Sequence, residues 1–555
     1  MKVNRTALYF SPLQHNYANF CESIQQLTGI KIRKPCRLAG RGMQIGVDFA
    51  TGVEEVLDRL AVHYYNLIIV DCRHLPHDEA DAASQEESLH TLLDALAAEG
   101  SAEKAYPFAR IAVLVGDADE PRVDRLIFNM GERHVGGCLR DLSLSPRLVG
   151  EHAEEARVDF FERVWSFCEN ALLKKRTGKK AIAAAGGGIT GIYYELGVLK
   201  CLDDACDIGV GDFDMYFGIS AGAIVTGFLA NGYAIDDMIA NVSGVRNDWP
   251  MQLRLSWKNL NFGALPKRIL MAQQDFATYL LDAVKGRVDL NVFSALWSYE
   301  RALGPMFDNS DLEEFLREMF SRPGCTNRFE ELDCELYVGA TDQDRRTHVL
   351  FGDGDFKHIP ISQAVQASSA AHPFFCSVEV EGNYYTDGIV TRTSNIKAAI
   401  DKGADLLFLI DPFLPQVSSA PGFNARHGSV WLVEQDLKTL AYTRFSQIRG
   451  EVLRQNPSVS AYTFVPSNRM RRLMSQNPFI GQNLHPIVCE AYRSTFRRLK
   501  QIEHKLSGEL ASHGIDLDLK PVEEKVKVLR KARRADVRMV LDLEPPPKKG
   551  TKSAA

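Results

Sequence analysis

Apolar residues in this chain fall into two alternating patterns. Short continuous runs (Ala7–Phe10, Asn66–Asp71 and Arg110–Val115) read as strands covered on both faces. Between them, Tyr17–Leu27, Val53–Val62, Glu87–Ala98 and Arg122–Met130 carry apolar positions three and four apart and read as helices. Ile30–Ile32 gives a weaker second strand, and His134–Leu139 a short last one. Strands alternating with helices predict a parallel, doubly wound α/β sheet over residues 1–150. Residues 151–179 predict a charged helical connector with Val158, Phe161, Val164, Phe167 and Leu172 on one side. It ends in the basic run Lys174-Lys175-Arg176, which reads first as a solvated linker and second as a contact for anionic lipid.

A second α/β rhythm begins at Lys180. Ala181–Ala185 is a short apolar strand, followed by Gly186-Gly187-Gly188, then Ile189-Thr190-Gly191 and a helical pattern through Tyr194, Leu196, Val198 and Leu199. Phe213–Phe217 is a further strand and leads into Gly218-Ile219-Ser220-Ala221-Gly222 and a small-residue apolar helix to Ala230. Residues 238–320 interrupt the rhythm with Trp249, Met251, Leu253, Leu255, Trp257, Leu260, Phe262, Leu265, Leu280, Trp297 and Met306. Such an insertion shapes an acyl cavity or lid, or is an ordinary helical subdomain, at even weight. Strand signals resume at Glu335–Thr341 and Thr347–Phe351. A small-residue helix runs from Ile361 to Ala371, a hairpin leads to Thr386-Asp387-Gly388, and Leu406–Ile410 is a buried strand. The predicted organisation is an α/β domain over 180–415, a helical C-terminal region over 416–544 and a disordered tail over 545–555.

With 555 residues, 45% hydrophobic and 25% charged, the chain is long enough for several domains with real cores. A net charge of −6 gives no whole-chain case for nucleic-acid binding. The eleven cysteines lack metal-type spacing and are odd in number, so reduced thiols and a cytoplasmic location are expected, with no metal or cofactor. No apolar run approaches about 18 residues, so any contact with a membrane is expected to be peripheral.

A serine between two glycines at a strand-to-helix turn is the pattern of a nucleophile elbow, in which the tight turn pushes the hydroxyl of Ser220 outward. Gly218 and Gly222 are the residues that let the turn close. The amides of Gly186, Gly187 and Gly188, at the start of a helix, are candidate donors to an oxyanion. Each motif alone is weak, since a small residue in a turn or a glycine-rich bend explains either one. Their order and separation make the joint signal strong. His372, beside Pro373 at a helix end, reads as a capping or packing residue.

These two glycine motifs, with Gly191 closing the first and Thr386-Asp387-Gly388 downstream, make residues 180–411 resemble the patatin-like phospholipases. Gly197-Val198-Leu199, Ala340-Thr341-Asp342 and Ala367-Ser368-Ser369-Ala370-Ala371-His372-Pro373 add to the resemblance. It implies a Ser–Asp dyad, with Ser220 as nucleophile, Asp387 as general base and Gly186–Gly188 as the oxyanion hole. Gly388 belongs to the same motif as the base. Two positions depart from the family pattern. Thr190 stands where a cation is usual, and Ile389 where a small residue follows the aspartate and glycine. A free carboxylate with a pKa near about 4 is a weak base toward serine, so the dyad calls for a desolvated aspartate.

Residues 1–150 resemble a response-regulator receiver domain through strand order and through Asp71 at the end of the third strand. The receivers' acidic pair is replaced by Ser11 and Pro12, their Thr or Ser by Gly116, and their Lys by Arg140 at the nearest. A degenerate receiver, serving a protein partner or self-association, is therefore expected. The expected function is that of a serine acyl hydrolase acting on fatty acyl esters at a lipid surface. The alternatives are a catalytically weak, lipid-binding scaffold and, third, a nucleotide-binding α/β protein. The last lacks Lys-Ser/Thr after the glycines.

Overall fold

The computed structural model describes residues 3–28, 31–33, 37–40, 43–73, 79–97, 110–117, 120–133, 135–173, 177–248, 265–289, 291–297, 305, 307–456, 458–475 and 484–542. They form two compact units. The first comprises 1–178, 449–461 and 499–517, and the second 179–448, 462–498 and 518–555. Residues 416–544 thus contribute to both. Trp249 to Phe262, Met306, the basic run 174–176, His134 and the tail 545–555 lie outside the described residues.

The first unit begins β1 (Val3–Phe10), α1 (Gln14–Thr28), β2 (Lys31–Arg33), β3 (Arg37–Gly40), β4 (Met43–Ala50) and α2 (Val53–Val62). It continues β5 (Leu67–Cys72), α3 (Glu79–Ala97), β6 (Ile111–Val115), α4 (Glu120–Glu132), β7 (Gly137–Arg140) and α5 (Glu151–Leu173). The sheet order is β2-β3-β4-β1-β5-β6-β7. β4, β1, β5, β6 and β7 are parallel, so their order by sequence is 2-1-3-4-5, that of a flavodoxin-like doubly wound sheet. The second parallel strand is β4. The segment expected in that place, Ile30–Ile32, instead overlaps β2, which with β3 makes an antiparallel extension beside it.

Side-chain alternation divides this core in two. Tyr9, Leu67, Ile69, Ala112 and Leu114 point to one face, where Phe160, Phe161, Val164 and Leu172 of α5 pack. Leu8, Phe10, Ile68, Val70 and Val113 point to the other, against Val56, Leu92 and Leu126. The helix expected as a connector, α5, buries its apolar side in this core.

Asp71, at the end of β5, is 1% exposed and fully engaged. Arg73 donates to it from Nη2 at 2.8 Å and from its own amide at 3.0 Å, and Tyr9 donates its hydroxyl. The same guanidinium reaches Asp141 at 3.2 Å and lies over the rings of Phe160 and Phe161 at 5.3 and 5.2 Å. A second buried ion pair joins Arg110 to Glu509 at 3.0 Å, and Tyr64 donates to the same carboxylate at 2.6 Å.

The second unit begins β8 (Lys179–Ala184), α6 (Gly188–Ala205), β9 (Met215–Ile219), α7 (Ala221–Ala230), α8 (Ile235–Val242), α9 (Leu265–Val284), α10 (Val292–Trp297) and α11 (Ser310–Phe320). Next come β10 (Glu335–Asp342), β11 (His348–Phe351), α12 (Ile361–Ser368), β12 (Val378–Val380), β13 (Asn383–Asp387), α13 (Ile396–Asp401) and β14 (Ala404–Ile410). The chain ends α14 (Ser429–Gln455), β15 (Ser460–Phe464), α15 (Asn468–Met474), α16 (Leu484–Ser512) and α17 (Lys520–Lys531), the first, second and fourth of which pass between the units. The sheet runs β12-β13-β10-β9-β8-β14-β15, with β11 on β10. β14, β8, β9 and β10 are parallel, and β13 is antiparallel to β10.

Arg73→Met should strand the buried Asp71 and Asp141 carboxylates and lower stability by about 3 kcal/mol, read as a drop in denaturant midpoint. An unmoved midpoint would show that the network contributes nothing.

Candidate active site

β9 ends at Ile219, and the chain turns into α7 at Ser220 with φ 54 and ψ −120. A side chain is strained there, and the surroundings hold the turn closed. A Cβ on Gly222 would fall 2.3 Å from the Ala184 carbonyl oxygen, and one on Gly218 would fall 2.4 Å from the Ala223 Cα. Larger residues on either side of the serine would therefore push α7 off β8 and β9. All ten residues of α7 are buried.

The carboxylate arrives from the other side of β10. Gly339 of β10 pairs with Ile219, and its neighbour Ala340 pairs with Asp387 at the end of β13. Ser220 and Asp387 thus flank one strand, at backbone positions about two ladder spacings, roughly 10 Å, apart. Their side chains approach across that gap, near enough for the Ser220 hydroxyl to lower the pKa of the Asp387 carboxylate. Gly388 lets β13 approach so closely: a Cβ there would sit 2.2 Å from the Gly339 oxygen.

Asp387 is 2% exposed. Burial raises its pKa to about 6, against the lowering effect of the Ile389 amide, which donates to Oδ1 at 2.9 Å, and of the Ser220 hydroxyl. Its backbone is fixed as well. The amide donates to Ala370 O at 3.1 Å, and Thr341 donates to its carbonyl at 3.0 Å. Arg444 of α14 donates to Ile389 O at 2.7 Å and Val390 O at 2.8 Å, clamping the turn behind the carboxylate.

The glycine run lies beside the serine. A Cβ on Gly186 would be 3.2 Å from the Ser220 Cβ and 3.7 Å from its Oγ. Gly187 is the N-cap of α6 and is held between Pro412 and Gly191, while Gly188 begins the helix. No acceptor among the described residues takes the amides of Gly186, Gly187, Gly188 or Ala221. Two helix N-termini therefore present unsatisfied N–H groups in the neighbourhood of one hydroxyl, where negative charge is favoured.

Sequence reasoning missed the roles of Ser368 and Gly339. The Ser368 hydroxyl accepts from the Ser220 amide at 2.8 Å and donates to Gly339 O at 2.6 Å, pinning the strained turn to β10. Ser368 belongs to a small-residue motif in the sequence, but nothing in that spacing shows what a buried hydroxyl bonds to. Of the two departures from the family pattern, Thr190 is buried with its hydroxyl 3.5 Å from Met474 O. Ile389 lies against Gly186, its Cδ1 3.2 Å from where a Cβ would stand.

His348 belongs to the surrounding shell. It bonds Thr391 and Asn395, and burial followed by Arg392 lowers its pKa to about 4, so it is neutral at physiological pH. His372 bonds Ser377 at 3.0 Å beside a cleft of ≈ 730 Å³ lined by Arg268, Gln343, Asp344 and Tyr384.

The buried carboxylate has a stability signature. Its folded pKa of about 6 lies above the unfolded value near about 4, so the native state holds the proton more tightly. Above about pH 6 the charged form costs the fold about 3 kcal/mol, and that cost vanishes as pH falls toward about 4. Asp387→Asn is therefore expected to be more stable than the parent at about pH 8, with the difference shrinking at about pH 4. A difference independent of pH, measured by thermal denaturation, would contradict this.

Residues 182–400 match the family described as Patatin-like phospholipase. No curated protein matches the chain. Among solved structures, VipD from Legionella pneumophila is 14% identical, over 66% of this chain and 82% of that one, with a TM-score of 0.24. A chain in the structure of full-length SpcU in complex with full-length ExoU, from the type III secretion system of Pseudomonas aeruginosa, is 15% identical over 66% of this chain and 76% of that one, with a TM-score of 0.22. With the Ser220 turn, the glycine run and Asp387 all inside the matched span, residues 182–400 are a patatin-like phospholipase domain.

Proposed function

We propose that this chain is a serine acyl hydrolase that cleaves fatty acyl esters of lipids through a Ser220–Asp387 dyad. The supporting observation is the approach of Ser220, on its strained turn, to the buried Asp387 across β10, where burial raises the carboxylate pKa to about 6 and the serine hydroxyl lowers it. A base at that pKa is largely ionised at neutral pH, yet takes a proton more readily than an exposed carboxylate. Ser220 Oγ attacks the ester carbonyl as its proton passes to Asp387. The oxyanion takes hydrogen bonds from the Gly186–Gly188 amides. Collapse breaks the ester C–O bond, and the leaving alcohol departs with the proton from Asp387. A water then gives its proton to the same carboxylate and attacks the acyl-serine, releasing the fatty acid and restoring the serine. Histidine has no part in this scheme, in keeping with the neutral His348 bound elsewhere.

For residues 1–150 we propose a receiver-like module that serves a partner or self-association and carries no phosphoryl group. The support is Asp71, whose carboxylate is occupied by Arg73 and Tyr9. The proposed location is the cytoplasm, peripheral to a membrane.

A fluorophosphonate probe should label the parent at Ser220 and leave Ser220→Ala unlabelled, and kcat/KM should fall below about pH 6 with a single proton. A label elsewhere, or activity retained by Ser220→Ala, would end this reading. Ser368→Ala should lower kcat by about tenfold through loss of the pinned turn, with KM little changed and Ser368→Thr partly restoring it. Equal loss in both variants would assign Ser368 to packing alone.

A further inference from the structure

α9 is turned inside out relative to an ordinary surface helix. At about 3.6 residues per turn, Ile269, Leu270, Ala277, Leu280, Leu281 and Val284 share one side. That side faces solvent: Leu281 is 58% and Val284 86% exposed. The inward side holds Ala272, fully buried, and the partly buried Phe276 and Tyr279. Val288 and Val292, both exposed, follow the helix end, with the exposed Asp289 and Asn291 between them. Of the twenty exposed large apolar side chains among the described residues, seven fall between Ile269 and Val292. That concentration separates this face from the scattered exposure normal for a surface.

Charge is arranged around the face in one sense. Lys267 and Lys285, both exposed, stand about five turns apart on the same edge of the apolar strip. The helix's two acids, Asp275 and Asp282, are turned toward the inner side and partly buried. From Ile269 to Val284 the outward side is therefore mainly apolar along about 22 Å, interrupted by the exposed Gln273, with a basic border and neither of the helix's acids in it, which complements an anionic lipid headgroup layer. The helix is also tied to the candidate active site. Arg268 donates to Pro305 O and to Cys376 Sγ. Cys376 lies on the segment that joins Ser368 at the end of α12 to the hairpin bearing Asp387.

We propose that α9 seats this chain on an anionic lipid surface. Ile269, Leu270, Leu280, Leu281 and Val284 enter the boundary between headgroups and acyl chains, and Lys267 and Lys285 meet lipid phosphates. The purpose of this docking rests on the acyl-hydrolase reading, since it would bring esters to Ser220, but the binding itself does not depend on turnover.

The test uses the full chain with Ser220→Ala, so that vesicles stay intact. Binding to phosphatidylcholine vesicles with about a third phosphatidylserine is measured by flotation. Leu270→Glu/Leu281→Glu is expected to weaken binding at least about tenfold. Lys267→Gln/Lys285→Gln is expected to remove most of the preference over pure phosphatidylcholine vesicles. With Ser220 restored, the Glu pair should lower the ratio of vesicle turnover to turnover of a monomeric p-nitrophenyl ester. Unchanged vesicle binding in both pairs, with folding verified by circular dichroism, would overturn the proposal. So would a parent dimer that the Glu pair dissociates without loss of vesicle binding, because the face would then be covered by a second copy. Vesicle binding lost in the Glu pair, in a parent that hydrolyses no ester, would support the docking and reject the hydrolase.

Discussion

The candidate site depends on a serine backbone held where serine does not rest by choice. A non-glycine residue at φ 54, ψ −120 is strained by about 1–3 kcal/mol, and such strain persists only where the surroundings over-determine it. Here they do so from three directions. Gly218 and Gly222 allow α7 to press on β8 and β9, the Ser368 hydroxyl takes the serine amide, and the wholly buried α7 fixes the exit of the turn. The same contacts aim the hydroxyl across Gly339 toward Asp387.

Two buried carboxylates in this chain sit in opposite electrostatic environments. Asp71 and Asp387 both end β-strands and both are almost wholly inaccessible. Asp71 meets a guanidinium that is itself buried against two phenyl rings, so its lone pairs are spent on holding the fold. Asp387 meets an amide and a hydroxyl and takes no salt bridge among the described residues. A carboxylate desolvated without a compensating cation keeps its appetite for a proton, which is what proton transfer from a serine needs.

Much of this was legible in the sequence wherever chemistry is local. The elbow is readable because a serine between two glycines at a strand-to-helix turn is a local pattern, although the contact that requires Gly222 comes from the distant Ala184. The strands β5 and β6 are readable because burial on both faces makes them continuous apolar runs. β4 was missed for the opposite reason. Its buried Ile45 and Val47 alternate with Gly46 and an exposed Asp48, so no apolar run announces it. β15 was missed because Ser460-Ala461-Tyr462-Thr463-Phe464 is short and half polar within a helical region. The Ser368 bridge, the Gly339 approach and the Arg444 clamp join residues far apart in the chain, and no spacing rule reaches them.

The pairing of Arg110 and Tyr64 with Glu509 has a practical corollary. The first unit borrows its Glu509 carboxylate from a segment more than three hundred positions downstream of residue 178. A gene fragment stopping at that point would encode the whole doubly wound sheet and still leave a buried guanidinium with its counterion missing. Expression of the amino-terminal portion by itself therefore calls for a circularly rearranged or grafted chain that brings the distant helix back.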